Sequence, residues 1–323
     1  MAYAGSFTAV HDLLGRKILG ARSAADLAME RKDVQHDLLG MPGQIVPLAS
    51  DLPESAEPTV IQGIPDDGVA MATSHTYLIP RNAYGSHRTT RLLAGLRRDC
   101  ERARLKGFDD GTPCTFYGLI TATGIIDFGS VEAFVFWEPS SWRVHAPGIL
   151  RPLSLSVQAH TQARAKVHAL AARLRELTGY VGAFGTDGVL TADDYVIHEI
   201  NPRICAGFSL LDQLAPAGAP LSAIDLVLRE APAAASESLT EPLARLAAAF
   251  DSDLTPAYRL WDALHETTPA PEHGISYGQL AAQLRRQVAG TNLVHVSEVV
   301  GRAYDASDHA QRPRPSRGGH RGR

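Results

Sequence analysis

The sequence has few cysteines and no long apolar run, and each shortage excludes a class of protein. Its 323 residues include three cysteines, none with the C-x-x-C spacing of a zinc or redox motif. Three scattered cysteines are also too few for a disulfide framework, so we expect reduced thiols. No run of about 18 apolar residues is present, and charged residues interrupt the N-terminal stretch where a signal peptide needs its apolar segment. We therefore predict a cytoplasmic protein with no membrane partner.

Two common catalytic motifs are absent as well. The sequence has no G-x-S-x-G nucleophile elbow, which argues against a hydrolase of that type. It has no G-x-x-x-x-G-K-[S/T] loop, which excludes a P-loop nucleotide site. No internal repeat is found. The length of the sequence predicts one large domain or two smaller ones.

Lysine is also scarce. Only four of the 31 basic residues are lysines, and the formal net charge is −4. This charge gives no reason to expect nucleic acid as a partner. The exception is the arginine-rich segment 304–323, which has little apolar content and is predicted to be a disordered basic tail. Lysine is a common phosphate ligand, so each one is a candidate to check: Lys17, Lys32, Lys106 and Lys166.

Apolar periodicity predicts helices in three regions of the first 180 residues, namely 1–40, 89–106 and 156–178. The third is the clearest, because Ser156 is a suitable N-cap and Gly179 follows its last turn. Beyond a Pro/Ala-rich linker at about 230–242, the pattern becomes mostly helical again.

Short apolar runs bounded by Pro, Gly and Asp predict strands at 59–64 and 75–80. Residues 114–150 contain four more such runs, which indicates an antiparallel meander. The runs 181–190 and 195–200 are separated by the turn sequence TADD, which predicts an antiparallel hairpin.

The second strand of this hairpin carries the most informative pattern, YVIHEINPR. Alternate residues of a strand share a face, so Glu199, Asn201 and Arg203 point the same way. Asp187 lies on the preceding strand, and the hairpin brings it opposite Glu199. Two carboxylates and an amide oxygen form a hard oxygen site that suits Mg²⁺, with water and phosphate as the remaining ligands. Arg203 is placed to bind a phosphoryl oxygen.

A solvated strand face would show the same alternation of polar and apolar residues. The position of Asp187 and the proline at 202, which is unusual inside a central strand, favour a site. His198 follows the apolar run 195–197, and we interpret it as a packed or hydrogen-bonded core residue rather than a ligand.

The string GAFGTDGVL followed by YVIHEINPR resembles the metal-binding end of the ATP-grasp superfamily, most clearly over residues 180–208. The resemblance implies that Asp187, Glu199 and Asn201 bind Mg²⁺ bridging the phosphates of ATP. It gives Arg203 a catalytic role in steadying the transferred phosphoryl group or acyl phosphate. The implied activity is an ATP- and Mg²⁺-dependent ligase that joins a small carboxylate substrate to an amine.

The same resemblance implies an α+β fold, an ATP-grasp-like antiparallel sheet with flanking helices and a helical C-terminal region. Four parts are expected. Residues 1–110 would be a divergent or truncated part of the nucleotide-binding region, 111–230 the metal- and phosphate-binding domain, 239–303 the helical region and 304–323 the tail.

The upstream half of the sequence departs from the superfamily pattern. Gln62 stands where a phosphate-binding lysine is expected. Arg81 and Arg88 are the candidates to bind the phosphates instead, in a segment that only weakly resembles a phosphate-binding loop. A second alignment instead uses Lys17 with the sequence GARS, and the residues do not decide between the two. The missing lysines leave an alternative open, a degenerate homologue that binds a nucleotide or a partner protein without catalysis. A homo-oligomer or a partner subunit is compatible with the short N-terminal part.

Overall fold

A computed structural model of the protein describes residues 10–49, 52–53, 55–65, 74–81, 83–153, 155–215, 220–253, 257–260 and 294–295. Within these ranges a four-stranded and a seven-stranded antiparallel sheet enclose a cleft, and helices pack against the larger sheet. The predicted α+β class is confirmed. No helix in the described part has the length and apolar character needed to span a membrane.

The N-terminal segment forms a small hairpin and two short helices. The elements are β1 (Asp12–Leu13), β2 (Arg16–Lys17), α1 (Ala24–Ala28) and α2 (Lys32–Leu39). The helical prediction for residues 1–40 is therefore right for two segments and wrong at 12–17. There Gly15 adopts φ 73°, which a tight turn requires and a helix does not, and its N–H donates to the carboxylate of Asp12.

The smaller sheet has the strand order β3-β6-β4-β5. Its strands and the helix between them are β3 (Gln44–Pro47), β4 (Thr59–Pro65), β5 (Thr76–Ile79), α3 (His87–Leu96) and β6 (Cys100–Gly107). The strands predicted at 59–64 and 75–80 are confirmed. The helix predicted over 89–106 is wrong beyond Leu96, because charged residues at 102, 104 and 106 alternate with Ala103 and Leu105 along β6.

The larger sheet has the order β11-β10-β7-β8-β9-β12, and a short strand β13 pairs with β8. Its strands are β7 (Thr112–Ile120), β8 (Ile125–Trp137), β9 (Val144–Arg151), β10 (Gly182–Leu190), β11 (Tyr195–Asn201), β12 (Ala257–Leu260) and β13 (Val294–His295). The predicted meander and hairpin are both confirmed. Two of the predicted runs, 124–129 and 131–138, merge into the single strand β8.

Four helices pack against the larger sheet in two cores. The helices are α4 (Val157–Thr178), α5 (Phe208–Leu214), α6 (Leu221–Glu230) and α7 (Pro232–Ser252). The predicted ends of α4 are confirmed, since Ser156 Oγ accepts the N–H of Ala159 at 3.1 Å and Gly179 has φ 73°. α4 packs in one core with Phe116, Phe184 and Ile200, and α5, α6 and α7 pack in the other with Leu119 and Phe128.

The prediction of a Pro/Ala-rich linker is wrong, because residues 232–252 form the helix α7. Its alanines favour a helix, and Pro232 occupies the first turn, where a missing N–H is tolerated. Within the helical region expected over 239–303, residues 257–260 form the strand β12 instead, which pairs with β9. The remaining parts of the predicted helical region and the tail 304–323 lie outside the described residues, apart from β13.

The two sheets are joined at both sides of the cleft. On one side the buried Arg104 of β6 donates to the carbonyl of His198 in β11 at 2.8 Å. On the other side the N–H of Leu78 in β5 donates to the carbonyl of Trp142 at 2.8 Å, and Trp137 Nε1 donates to the carbonyl of Leu78 at 3.2 Å. Both tryptophans are buried in the core that fills this side.

Candidate functional site

The cleft between the two sheets has a volume of about 330 Å³. Its walls come from β4, β5 and β6 on one side and from β7 to β11 on the other. Apolar side chains such as Phe108 and Val135 line it together with charged ones. The acidic, basic and histidine residues that line it are Glu30, Lys32, Lys106, Asp109, Asp187, His198, Glu199 and Arg203.

Asp187 and Glu199 lie directly opposite each other on β10 and β11, as the hairpin predicted. The register shifts next to this pair, because Gly188 pairs with Ile197 and leaves His198 as an extra residue in β11. At this bulge both His198 and Glu199 line the cleft. His198 was interpreted as a packed or hydrogen-bonded residue rather than a ligand, and it is hydrogen-bonded in the structure; what the sequence did not predict is that it lines the cleft.

Asp187 and Glu199 oppose each other across the hairpin and are partly buried. Burial, together with the charge of Glu199, raises the pKa of Asp187 to about 6. Burial alone would also raise the pKa of Glu199, but the ammonium group of Lys32 outweighs it and lowers that pKa. Two carboxylates that repel each other in this way are a suitable environment for a divalent cation.

Neutral donors hold Asp187 in place. Thr115 Oγ1 donates to its Oδ1 at 2.6 Å, and Asn201 Nδ2 donates to its Oδ2 at 2.9 Å. The side-chain oxygen of Asn201 lies 3.4 Å from a guanidinium nitrogen of Arg203, whose Nε lies 3.3 Å from Glu30 Oε2. The four residues predicted from the sequence motif are thus brought together at one end of the cleft.

Lys32 is a site residue that the sequence did not single out from the other lysines. It is the first residue of α2, and its Nζ lies 2.5 Å from Glu199 Oε2. The buried Gln35 anchors this helix to β11, since it bonds both the N–H and the carbonyl of Ile200. The scarcity of lysine was the one signal that could have pointed to Lys32.

A second charged group lies where β6 leads into β7. Lys106 forms an ion pair with Asp109, and its Nζ lies 2.6 Å from His198 Nε2. His198 Nε2 lies 2.8 Å from Asp109 Oδ2. Burial would raise the pKa of Asp109, but hydrogen bonds from His198 and Lys106 lower it to about 2. The carboxylate therefore stays charged and pairs with Lys106, whose own pKa is lowered by burial.

The two arginines predicted to bind the cofactor are not among the lining residues. Arg81 donates to the carbonyl of Ala56 and pairs with Glu57 on the surface. Arg88 donates to the carbonyl of Pro139 and stacks over a tryptophan ring. The cations that the structure places at the cleft are instead Lys32, Lys106 and Arg203.

The other upstream candidates lie at different places. Gln62 on β4 does line the cleft, and its side-chain oxygen accepts from Arg104 at 2.6 Å. Lys166 forms an exposed pair with Asp194 beside the turn of the β10–β11 hairpin. Lys17 is in β2 of the N-terminal hairpin.

Asp187, Glu199 and Asn201 offer two carboxylates and an amide to a metal ion. Within the described residues no group of three or more His, Cys, Asp or Glu side chains forms a metal site. The donors present nevertheless suit Mg²⁺, which is usually held by one or two carboxylates and takes its other ligands from water and phosphate. The repulsion between Asp187 and Glu199 supports this fit.

Comparison with solved structures agrees with this architecture. A pyruvate carboxylase from Rhizobium etli, determined with acetyl coenzyme A, matches with a TM-score of 0.51 and 16% identity over 75% of this chain and 20% of that chain. An L-amino acid ligase from Bacillus licheniformis gives a TM-score of 0.48 at 14% identity, over 63% of this chain and 48% of that chain. A carboxyaminoimidazole ribonucleotide synthase from Aspergillus clavatus, complexed with ATP, gives a TM-score of 0.45 at 16% identity, over 61% of this chain and 50% of that chain.

The pyruvate carboxylase match is consistent with the fold that the sequence motif implied, and the resemblance to the ATP-grasp superfamily stays a prediction. At this level of identity the likeness concerns the fold alone. The chain spans half or less of the length of these matched proteins. No family model and no curated protein matches the sequence.

Proposed function

We propose that this protein is an ATP- and Mg²⁺-dependent ligase that joins a carboxylate to an amine. One observation carries the proposal: Asp187 and Glu199 face each other in a buried cleft that also presents Lys32, Lys106 and Arg203. Phosphoryl transfer depends mainly on positioning and on neutralising negative charge. A cleft with this combination of carboxylates and cations is suited to a nucleotide polyphosphate and its metal ion.

The apolar side chains that line the cleft are suited to the nucleotide base. A planar base is bound by aromatic and aliphatic side chains that remove its faces from water. The cleft offers such side chains from both sheets and from the β6–β7 connection: Val60, Leu78, Phe108, Val135 and Val144. With the base against these side chains, we expect the phosphates to reach the carboxylate pair.

Each polar residue then has a role. Asp187, Glu199 and Asn201 would hold Mg²⁺, which neutralises phosphate charge when bound. Arg203 steadies the phosphoryl group that passes from ATP to the substrate carboxylate. The amine substrate then displaces phosphate from that carboxyl group and forms an amide bond, and no covalent enzyme nucleophile is needed.

The test combines calorimetry with ATP and Mg²⁺ and an assay of ADP release over a panel of amino acids. We expect the wild type to bind ATP and to release ADP with at least one pair of substrates. Glu199→Gln should abolish ADP release, whereas Glu241→Gln, a change in an exposed helix pair, should leave it intact. ADP release by Glu199→Gln at the wild-type rate would refute the assignment of Glu199.

A second candidate function is nucleotide binding without turnover. The observation that favours it is the side chain of Gln62, which stands at the cleft where the superfamily pattern has a lysine and is bonded to Arg104. Tight ATP binding with no ADP release for any substrate pair would support this candidate over the ligase.

A further inference from the structure

Lys32 is bonded to a carboxylate oxygen of a residue that we assign to the metal site. The Nζ of Lys32 lies 2.5 Å from Glu199 Oε2, and the lysine side chain is only 7% exposed. Gln35, one helical turn after Lys32, is bonded to the backbone of Ile200, the residue next to Glu199. The position of the ammonium group on Glu199 is therefore fixed by the contact between α2 and β11.

We propose that Lys32 is an internal counter-ion that couples metal binding to polyphosphate binding. This inference rests on the proposed function and deepens it. Without a ligand, the ammonium group offsets part of the repulsion between Asp187 and Glu199. A divalent cation that ligates Glu199 brings a second positive charge to the same carboxylate, and repulsion between like charges is strong in a buried site. Lys32 must then move to another anion.

Among the described residues, the cleft offers Lys32 no anion that is not already engaged. Four carboxylates line it. Asp187 and Glu199 would ligate the metal ion, Glu30 is bonded by two arginines, and Asp109 is bonded by a lysine and a histidine. A polyphosphate that enters the cleft supplies the missing partner. The metal ion alone leaves the charge of Lys32 uncompensated, whereas the metal ion with polyphosphate does not.

The two ligands must therefore raise each other's affinity, because binding free energies are reciprocally linked. Removing the charge at position 32 removes the part of this linkage that passes through Lys32, and leaves the part that comes from direct contact between the metal ion and phosphate. Lys32→Met frees Glu199 for the metal ion in the absence of nucleotide, so the ion should bind more tightly on its own. The nucleotide then has no displaced lysine to compensate and should increase the metal affinity by a smaller factor.

The test is calorimetric titration of the full chain with Mn²⁺, with and without ADP. In the wild type we expect ADP to raise the Mn²⁺ affinity roughly tenfold or more. Without ADP, we expect Lys32→Met to bind Mn²⁺ roughly fivefold or more tightly than the wild type does. We expect ADP to raise the Mn²⁺ affinity of this variant by less than about threefold. Lys32→Gln, which is also neutral, gives the same test should Lys32→Met fail to fold.

Two further variants complete the design. Lys32→Arg keeps the charge and should keep the wild-type pattern, and Lys166→Met removes an exposed lysine that pairs with Asp194 and should change neither constant. Unchanged coupling in both neutral variants at position 32, with Mn²⁺ and ADP still bound, would overturn this inference and leave the proposed function standing. Failure of the wild type and all variants to bind either ligand would overturn both.

Discussion

Gln35 and Ile200 are joined by two hydrogen bonds although they are far apart in the chain. The side-chain amide of Gln35 donates to the carbonyl of Ile200 at 2.8 Å and accepts its N–H at 3.0 Å. The same amide group also donates to the carbonyl of Met29 at 2.6 Å. Ile200 lies between two residues of the carboxylate site, so this contact aligns α2 with the strand that carries Glu199.

Gln35→Ala should therefore affect both stability and binding. The substitution leaves buried backbone groups of Ile200 and Met29 without their partner, which we expect to lower the free energy of unfolding by about 1–3 kcal/mol. It also releases Lys32 from its position at Glu199, so ADP affinity should fall. Urea denaturation and calorimetry measure the two effects. Gln158→Ala, at an exposed position of α4, is the matched control, and equal stability of the two variants would contradict the role of Gln35.

Asp187→Asn should stabilise the ligand-free protein at neutral pH while removing metal binding. The pKa of Asp187 is raised to about 6 by burial and by Glu199. The folded state thus binds a proton more tightly than the unfolded state, and this carboxyl group lowers stability as pH rises through about 4 to 6. Because asparagine carries no charge, the variant should be more stable than the wild type above pH 7, by about 1–3 kcal/mol.

Thermal unfolding in a chelator at pH 5 and pH 8 checks this prediction. The advantage of Asp187→Asn should be larger at pH 8 than at pH 5. A variant that is less stable than the wild type at pH 8 would show that the carboxylate of Asp187 is stabilising and that its pKa is not raised.

Asp127 is a second buried carboxylate, and it should behave in the opposite way. It lies on β8, accepts from Arg164 Nε at 3.0 Å and lies 2.5 Å from His168 Nε2. Burial would raise its pKa, but these two bonds lower it below the usual 3.8. Its contribution to stability is therefore complete above pH 3.8 and is lost as the pH falls through the lower folded-state pKa.

Asp127→Asn should lower the free energy of unfolding at pH 7 by roughly 1–3 kcal/mol, since it weakens charge-assisted hydrogen bonds between α4 and β8. The difference between variant and wild type should shrink as the pH is lowered toward 3. Urea denaturation at several pH values measures it, with Glu241→Gln as an exposed control that should match the wild type. A difference that stays constant from pH 7 to pH 3 would contradict the assigned pKa.

Gly188 follows the bulge in the β10–β11 hairpin and has no room for a side chain. A Cβ atom there would lie 2.4 Å from the carbonyl oxygen of Val196 and 2.6 Å from the ring of Tyr195. Gly188→Ala should therefore destabilise the protein by about 1–3 kcal/mol through overpacking. Gly124→Ala, where a Cβ meets nothing within 4 Å, should have little effect. Equal melting temperatures for the two variants would show that the hairpin accommodates the methyl group.

The carboxylate pair could be predicted from the sequence because its cause is local. Alternation along a strand and the length of one hairpin are sufficient to bring Asp187 opposite Glu199. The bulge that turns His198 into the cleft was not predictable in the same way. It depends on the pairing register on both sides of Asp187, which the apolar pattern of a single strand does not specify.

The cations of the site show the limit of local patterns. The helix expected over 89–106 includes Lys106, whereas in the structure this lysine lies on β6, the strand that follows the helix α3. Lys32 could not be predicted from its neighbours, since its partner Glu199 is 167 positions away. Arg81 and Arg88 lie near an expected phosphate loop in the sequence, yet their side chains are bonded elsewhere. Long-range packing decides which charges meet.

The hydrogen bonds that join the two sheets on both sides set the spacing of the walls. Arg104 bonds β6 to the carbonyl of His198, and Leu78 bonds β5 to the carbonyl of Trp142. Both hydrogen bonds oppose a separation of the two sheets. Any ligand that needs the sheets further apart must break one of these bonds, and we expect its affinity to fall by the cost of the lost bond.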